Sequence, residues 1–533
     1  MDPTALSQIS AVSLLDWLLA LAPILAILVL MLGFRWGGAQ AGAVGWGIAL
    51  VLARLYFGAG WDVLGYAQLK GLLMTLYVLY IVWAALLFYR VTDEAGAVTV
   101  IGSGLPRLTP DRGLQALLLG WAFSSFLQGM GGFGVPVAVV APLLVGLGFP
   151  PIAAVVIPAV GHPWAVTFGS LGLSFYALVA TSSQTGEALA PWAALMLGLA
   201  CFGCGAATLW AAGGRKTFLT GLAPLIVIGL TMTGVQYVVV TNGLWSVGSM
   251  LGGLAGLGVG VAWARWRRPS QAPATPVEQP GTRLSLGWAL FSYLLLVVIV
   301  MIAQVGAVRD VLGGVVIRGW FPEMVTARGW VTPAETGRTI DVFGHAGALL
   351  VYASVIAYLI YRRRGYYKPG SLRAIGRGVS KRAVRASLGT AAMVGMAVTM
   401  QHAGMTFVLA DGVARAAGAA FPAVSPFIGA LGTFITGSNT NSNVLFVNLQ
   451  EQIAALIGVS PLIILAAQTA GGAIGSAFAP SKIIVGASTV DDPSGGGNAG
   501  KEGAVLRAVL RYGLAITAGL AVITVVATWV WRR

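Results

Sequence analysis

Gly437-Ser438-Asn439-Thr440-Asn441-Ser442-Asn443 lies between two apolar runs, FIGALGTFIT at 427–436 and VLFVNL at 444–449. Apolar flanks of this kind belong in lipid, yet the six residues 438–443 are all polar. Hydrocarbon tolerates such a run only where each polar group finds a partner, and non-helical backbone survives at membrane depth only inside protein or beside a watery cavity. The stretch therefore reads as two short helices meeting tip to tip, with amides and hydroxyls gathered at one point. Roughly 300 residues earlier a second apolar segment is broken in the same way, at Gln128-Gly129-Met130-Gly131-Gly132-Phe133-Gly134-Val135-Pro136. Paired Gly/Pro-interrupted segments in two halves of a chain are the best sequence pointer to a transporter's binding site.

Working outward, composition gives the class. Hydrophobic residues make up 57% of the 533 and charged residues 9%, far below the charged share of a soluble domain. The expectation is an all-α polytopic membrane protein. Spans are read near 11–33, 39–57, 69–89, 151–181, 190–212, 217–240, 244–264, 286–306, 340–361, 385–410, 461–483 and 504–530. The two interrupted segments, 113–149 and 424–456, are read as re-entrant hairpins, giving about twelve spans plus two hairpins. The Pro- and Gln-containing stretch 265–285 separates a first membrane repeat, 1–264, from a second, 286–533.

Charge sets an expected orientation. Residues 362–385 carry nine Lys or Arg and no acidic residue, which marks a cytoplasmic loop. With that loop inside, both termini fall outside, the first hairpin enters from the cytoplasm and the second from the opposite face. Opposite entry is what two inverted repeats produce. The net charge of +15 then belongs to basic loops at a lipid surface and not to nucleic-acid binding. No signal-peptide pattern opens the chain. Cys201 and Cys204 sit in an apolar stretch with no second pair to complete a metal site, so no metal or cofactor is expected.

The segments FLQGMGGFGVPVAVVAPLLVGLGFPP (126–151), FITGSNTNSNVLF (434–446) and TAGGAIGSAFAP (469–480), the last followed by a Gly-rich loop and Gly500-Lys501-Glu502, resemble signature regions of the bacterial L-lactate permease family. The similarity runs in order along essentially the whole chain. It implies secondary transport of L-lactate, and often glycolate, with protons across the inner membrane. The family pattern has Glu where this chain has Gln128, Asp where it has Asn439, and a neutral polar residue where it has Lys482. Those exchanges make the centre about three charge units more positive, and neither Gln nor Asn can carry a proton. The resemblance therefore leaves open a more anionic hydroxyacid, sulfonated or dicarboxylic, and Na+ in place of H+.

Substrate-binding candidates are Gln128, Gly129, Gly132, Phe133, Gly134, Ser438, Asn439, Thr440, Asn441, Asn443 and Lys482. The glycines would let backbone N–H groups approach an anion, or else serve close helix packing. The polar tip residues would hydrogen-bond a carboxylate and hydroxyl, or else form a satisfied turn. Lys482 would hold the carboxylate as a point charge, or else snorkel to the interface. His162, His345 and His402 are the proton-coupling candidates, because imidazole titrates near neutrality; each could equally be a packed, hydrogen-bonded residue. No GxxxxGK[ST] loop for a nucleotide is present. A channel would need a longer polar lining, and an enzyme would need a base beside Ser438. The reading is a small-carboxylate transporter in a bilayer, with homo-oligomerisation open. A single cysteine near Arg373 is expected to react with impermeant thiol reagents only from the cytoplasmic side, and one near Arg328 only from outside; labelling of both from one face would break the inverted arrangement.

Overall fold

The computed structural model describes residues 12–34, 36–97, 100, 109–132, 134–267, 284–303, 305–337, 339–487 and 498–531. It is built almost wholly of helices. Among the described residues eight are long and apolar enough to cross a membrane, or nine if the bent pair 287–312 is one span. That is fewer than the twelve spans read from the sequence, because several apolar windows are cut into shorter helices. The 151–181 window is helix Pro151–Gly161, a 3-10 turn at Pro163–Ala165, a break at Gly169–Gly172, and helix Leu173–Thr181. The 461–483 window is helix Pro461–Gly475 followed by helix Pro480–Ala487. The 385–410 window is cut as well, since helix Ser371–His402 stops at a turn whose Gly404 has φ of 77°.

Each of the two interrupted segments is divided between two helices at its break. Residues 112–130 form one arm, widened to π-helical turns at Ala116–Phe123, and helix Val135–Gly146 packs back against those turns. The second hairpin is helix Phe421–Thr436 and helix Asn439–Leu456. Its arms are antiparallel: Ser425 pairs with Gln450, Ser442 Oγ donates to Gly429 O at 2.9 Å, and a carbon on Gly432 would meet Ser442 and Phe446.

Helix Pro461–Gly475 is pressed onto both arms of this hairpin. A Cβ at Gly471 would stand 1.9 Å from Pro426 O, one at Gly429 2.0 Å from Gln468 O, and one at Gly475 2.4 Å from Ala430 O. These three glycines set the helix separation, the small-residue packing that lipid-embedded helices use when no hydrophobic force draws them together. Buried amides reinforce it. Gln468 Nε2 donates to Ser442 Oγ at 3.1 Å, Gln450 Nε2 donates to Gln468 Oε1, and Ser425 Oγ also donates to Ile464 O at 3.1 Å.

A second feature was not visible in the sequence. Residues 316–341 form one long β-hairpin, with nested antiparallel pairs Val316↔Asp341, Trp320↔Thr336 and Met324↔Thr332. Its tip is pinned to the start of helix Leu14–Leu32 and the turn after helix Gly38–Leu55. Arg328 Nη1 donates to Asp16 Oδ1 at 2.8 Å and lies 4.6 Å over the Tyr56 ring, and Ala327 N donates to Gly58 O at 2.8 Å. Asp16 in turn caps its own helix through Ser13, so the anchor carboxylate is held in place locally. Those bonds to Asp16 push the Arg328 guanidinium further up from its ordinary value.

The glycine contacts generate a stability prediction. Gly471→Ala places a methyl against a backbone oxygen that cannot move aside, and is expected to cost about 1–3 kcal/mol or more. Gly146→Ala, whose new carbon meets nothing within 4 Å, is expected to be neutral or slightly stabilising. Thermal melts of the two purified variants in one detergent check this.

Candidate functional site

The second hairpin turns at Gly437, which adopts the left-handed φ of 72°, and Ser438 then caps the next helix. This delivers Asn439 inward, 2% exposed. Its Nδ2 donates to Thr167 Oγ1 at 3.1 Å and to Thr469 O at 3.3 Å. One turn on, Asn443 Nδ2 donates to Ser174 O at 2.9 Å and Thr469 Oγ1 at 3.0 Å. The hydroxyls of Thr440 and Ser174 bond to each other at 3.1 Å, and Thr167 Oγ1 donates to Thr469 O at 3.2 Å. Three interrupted elements thus share one buried polar cluster.

The helices Leu173–Thr181 and Asn439–Leu456 both begin at this cluster and run parallel away from it. Ser174 faces Thr440 at their start, and Ser183 donates its N–H (3.0 Å) and hydroxyl (2.6 Å) to Glu451 at their far end. Two helix N-termini therefore aim their partial positive charge at one place, and among the described residues no acidic side chain takes part in the cluster. Several buried oxygens there lack partners: Asn439 Oδ1, Asn443 Oδ1 and Thr433 Oγ1. The first and third share a space, since a carbon on Gly472 would sit 2.2 Å and 3.1 Å from them. Unmatched buried acceptors at helix N-termini suit a small molecule that offers a carboxylate to the dipoles and a hydroxyl to the amides.

The first hairpin joins the cluster through the break in the neighbouring helix. Ser170 and Leu171 both take left-handed backbone, at φ of 48° and 59°. Their N–H groups donate to Gln128 O (2.7 Å) and Gly129 O (3.0 Å), and Gln128 Nε2 reaches Ser170 Oγ at 3.5 Å. Gln128 is buried with Oε1 unpaired. The glycines of this tip are filled in by neighbours. A carbon on Gly129 would sit 2.5 Å from Met250 Cα, and one on Gly132 2.1 Å from Ser170 Oγ. Those two positions serve close packing, while Gly134, with φ of 85°, caps the returning helix. Phe133 lies outside the described residues.

Other candidates stand apart from the cluster. Asn441 is half-buried and accepts from Thr390 Oγ1 at 3.4 Å, on the side facing helix Ser371–His402. Lys482 is half-buried on helix Pro480–Ala487. His162 ends helix Pro151–Gly161, with Nδ1 on Pro158 O at 2.7 Å and Nε2 buried and unpaired. His402 bonds Val398 O at 3.0 Å through Nδ1. His345 caps helix Ala346–Arg363, its Nδ1 accepting from Gly347 N at 3.2 Å, and stacks on Tyr80. Each of the three histidines thus has Nδ1 engaged with nearby backbone. Sequence reading missed Thr167 and Ser174, whose one clue was Gly169-Ser170-Leu171-Gly172 inside an apolar window, and it quoted Thr469 within a motif without giving it a role.

Fold and cluster together define a multi-pass helical membrane protein whose polar centre is made by interrupted helices, the organisation of a secondary transporter. The family model described as L-lactate permease matches residues 16–531, and the chain belongs to that family. It is 28% identical to the L-lactate permease of Bacillus subtilis over 96% of this chain and 95% of that one. It is 27% identical to the L-lactate permease of Salmonella typhimurium and 26% identical to the glycolate permease GlcA of Escherichia coli, each over 97% of this chain and 96% of the relative. Among solved structures, Neisseria gonorrhoeae MtrF, reported within a class of antimetabolite efflux pumps, overlays at a TM-score of 0.49 with 13% identity, covering 93% of this chain and 96% of that one.

Thr469→Ala removes the hydroxyl that accepts from Asn443 Nδ2 at 3.0 Å and leaves that N–H unmatched, a loss of about 1–3 kcal/mol for whatever the cluster binds. Substrate affinity is expected to fall about tenfold or more, with folded yield close to that of the parent. Equilibrium binding to the purified variant checks it, and parental affinity would reduce the cluster to a structural role.

Proposed function

We propose that the protein carries L-lactate, glycolate or a closely similar 2-hydroxymonocarboxylate across a bacterial inner membrane. What supports this most is the gathering of Asn439, Thr440 and Asn443 with Thr167, Ser174 and Thr469 at two helix N-termini, without a competing carboxylate. A hydroxyacid offers one anionic group for the dipoles and one hydroxyl for an unmatched amide oxygen. The relatives named for lactate and glycolate transport match over nearly their whole length, which supports the same substrate class here. Two inverted repeats, each with a hairpin followed by a broken helix, would alternate this site between the two faces. Ser438 and Asn441, at the half-buried edge of the tip, would meet the substrate as it enters or leaves.

The coupling ion in this reading is a proton, and its carrier is His162. Nδ1 is committed to Pro158 O, so the unpaired Nε2 is the atom free to accept. His162 is fully buried, so a positive charge on its ring is costly until an anion arrives to offset it. Proton and carboxylate would then load together, which is symport. Gln128 and Asn439 would orient without titrating.

His162→Gln is expected to keep substrate binding within a few-fold while acid-driven uptake into proteoliposomes falls at least about tenfold. Substrate counterflow, which needs no net proton movement, should be spared. Undiminished alkalinisation of the outside medium in this variant would remove His162 from the mechanism. Uptake that requires sodium and moves no protons would remove proton symport. Counterflow by sulfonated or dicarboxylic hydroxyacids but not by lactate or glycolate would overturn the substrate.

A further inference from the structure

A largely polar cavity lies away from the Asn439 cluster, under the β-hairpin. It holds about 470 Å³ and is lined by Lys70, Thr181, Glu335, Gln401, Asn448 and Glu451, among others. That volume is ample for a small ligand with water, since ligand sites run about 300–1,000 Å³. Thr181 is on the helix that starts beside Ser174, seven residues further on and about 10 Å along it at 1.5 Å per residue. Asn448 and Glu451 are on the parallel helix that starts at Asn439. The cavity therefore stands at the far end of the two helices whose N-termini form the central cluster.

Its charges are unequal in setting. The Lys70 side chain is 9% exposed, and among the described residues its hydrogen bond is to Glu335. Glu335 is on the β-hairpin and 45% exposed. Glu451 is already satisfied by Ser183 N, Ser183 Oγ and Gln184 Nε2. A buried ammonium needs an anion at all times, whereas a half-exposed carboxylate on a strand can return to water with little loss. Lys70 has two further N–H donors, and Gln401, Asn448 and Thr181 offer polar groups for a hydroxyl.

We propose that this cavity is an entry site for the substrate anion, in which the carboxylate of a small 2-hydroxyacid takes the place of Glu335 on Lys70. Glu335 is a built-in stand-in for the substrate: it neutralises Lys70 when the cavity is empty and competes with incoming anion when it is not. This rests on the reading of the protein as a hydroxyacid transporter, but it concerns only the face that carries the β-hairpin.

Transport from each face separates the two. In proteoliposomes whose orientation is set by thiol labelling, in chloride-free medium, Glu335→Gln is expected to lower the KM for L-lactate entering from the hairpin face about three- to tenfold. Lys70→Gln is expected to raise it about tenfold, and both should leave KM from the other face within about twofold. The gain in Glu335→Gln cannot arise from misfolding, so that variant carries the test if Lys70→Gln fails to fold. An unchanged or raised KM in Glu335→Gln makes the pair a structural clasp and overturns the entry site. Equal shifts from both faces overturn it too. Failure of the central reading looks different: Thr469→Ala would then leave lactate affinity intact from either side, whatever the hairpin-face variants do.

Discussion

Every break in a buried helix frees N–H and C=O groups that have no water to turn to, and the structure depends on how one break settles that need. The break is at Gly169–Gly172. Two consecutive non-glycine residues, Ser170 and Leu171, are held in left-handed backbone so that their N–H groups meet the carbonyls of Gln128 and Gly129 at the end of the first hairpin's arm. On either side of the turn, Thr167 Oγ1 and Ser174 O accept from the amides of Asn439 and Asn443 at the second hairpin. One short turn therefore closes both hairpins. Strain of this kind, of order 1–3 kcal/mol per residue, persists only where its surroundings over-determine it.

The sequence showed one half of this arrangement clearly. Six polar residues between apolar flanks, and a glycine run closed by Val135-Pro136, announce themselves because each interrupts a segment otherwise apolar enough for lipid. The helices on either side of the two breaks run over 112–146 and 421–456. Their partners were not legible. Thr167, Ser174 and Thr469 are single hydroxyls in apolar windows, and a lone Ser or Thr in such a window bonds its own helix just as readily, as Thr181 does with Ala177 O at 2.8 Å. Which hydroxyl faces across is decided by contacts between segments hundreds of residues apart.

Glycine was the more instructive ambiguity. An anion cradle and a packing contact both require a missing side chain, so sequence alone leaves them equal. At Gly129 and Gly132 the space is taken by Met250 and Ser170, and at Gly429, Gly471 and Gly475 by opposing backbone. The β-hairpin escaped for another reason. Its strands pair two residues at a time in a largely exposed ribbon, so no sustained alternation marks them, and its anchorage through Arg328 to Asp16 joins positions 312 residues apart.

The second hairpin has two neighbours of opposite character. Toward helix Pro461–Gly475 it presents glycine against carbonyl at distances that forbid sliding, a weld. Toward helix Leu173–Thr181 it presents Thr440 to Ser174 and Asn443 to a main-chain oxygen, bonds that water can replace one for one at modest cost. If the centre is to open at all, the shear plane runs along that hydroxyl seam, and the hairpin travels with the helix it is welded to as one solid piece.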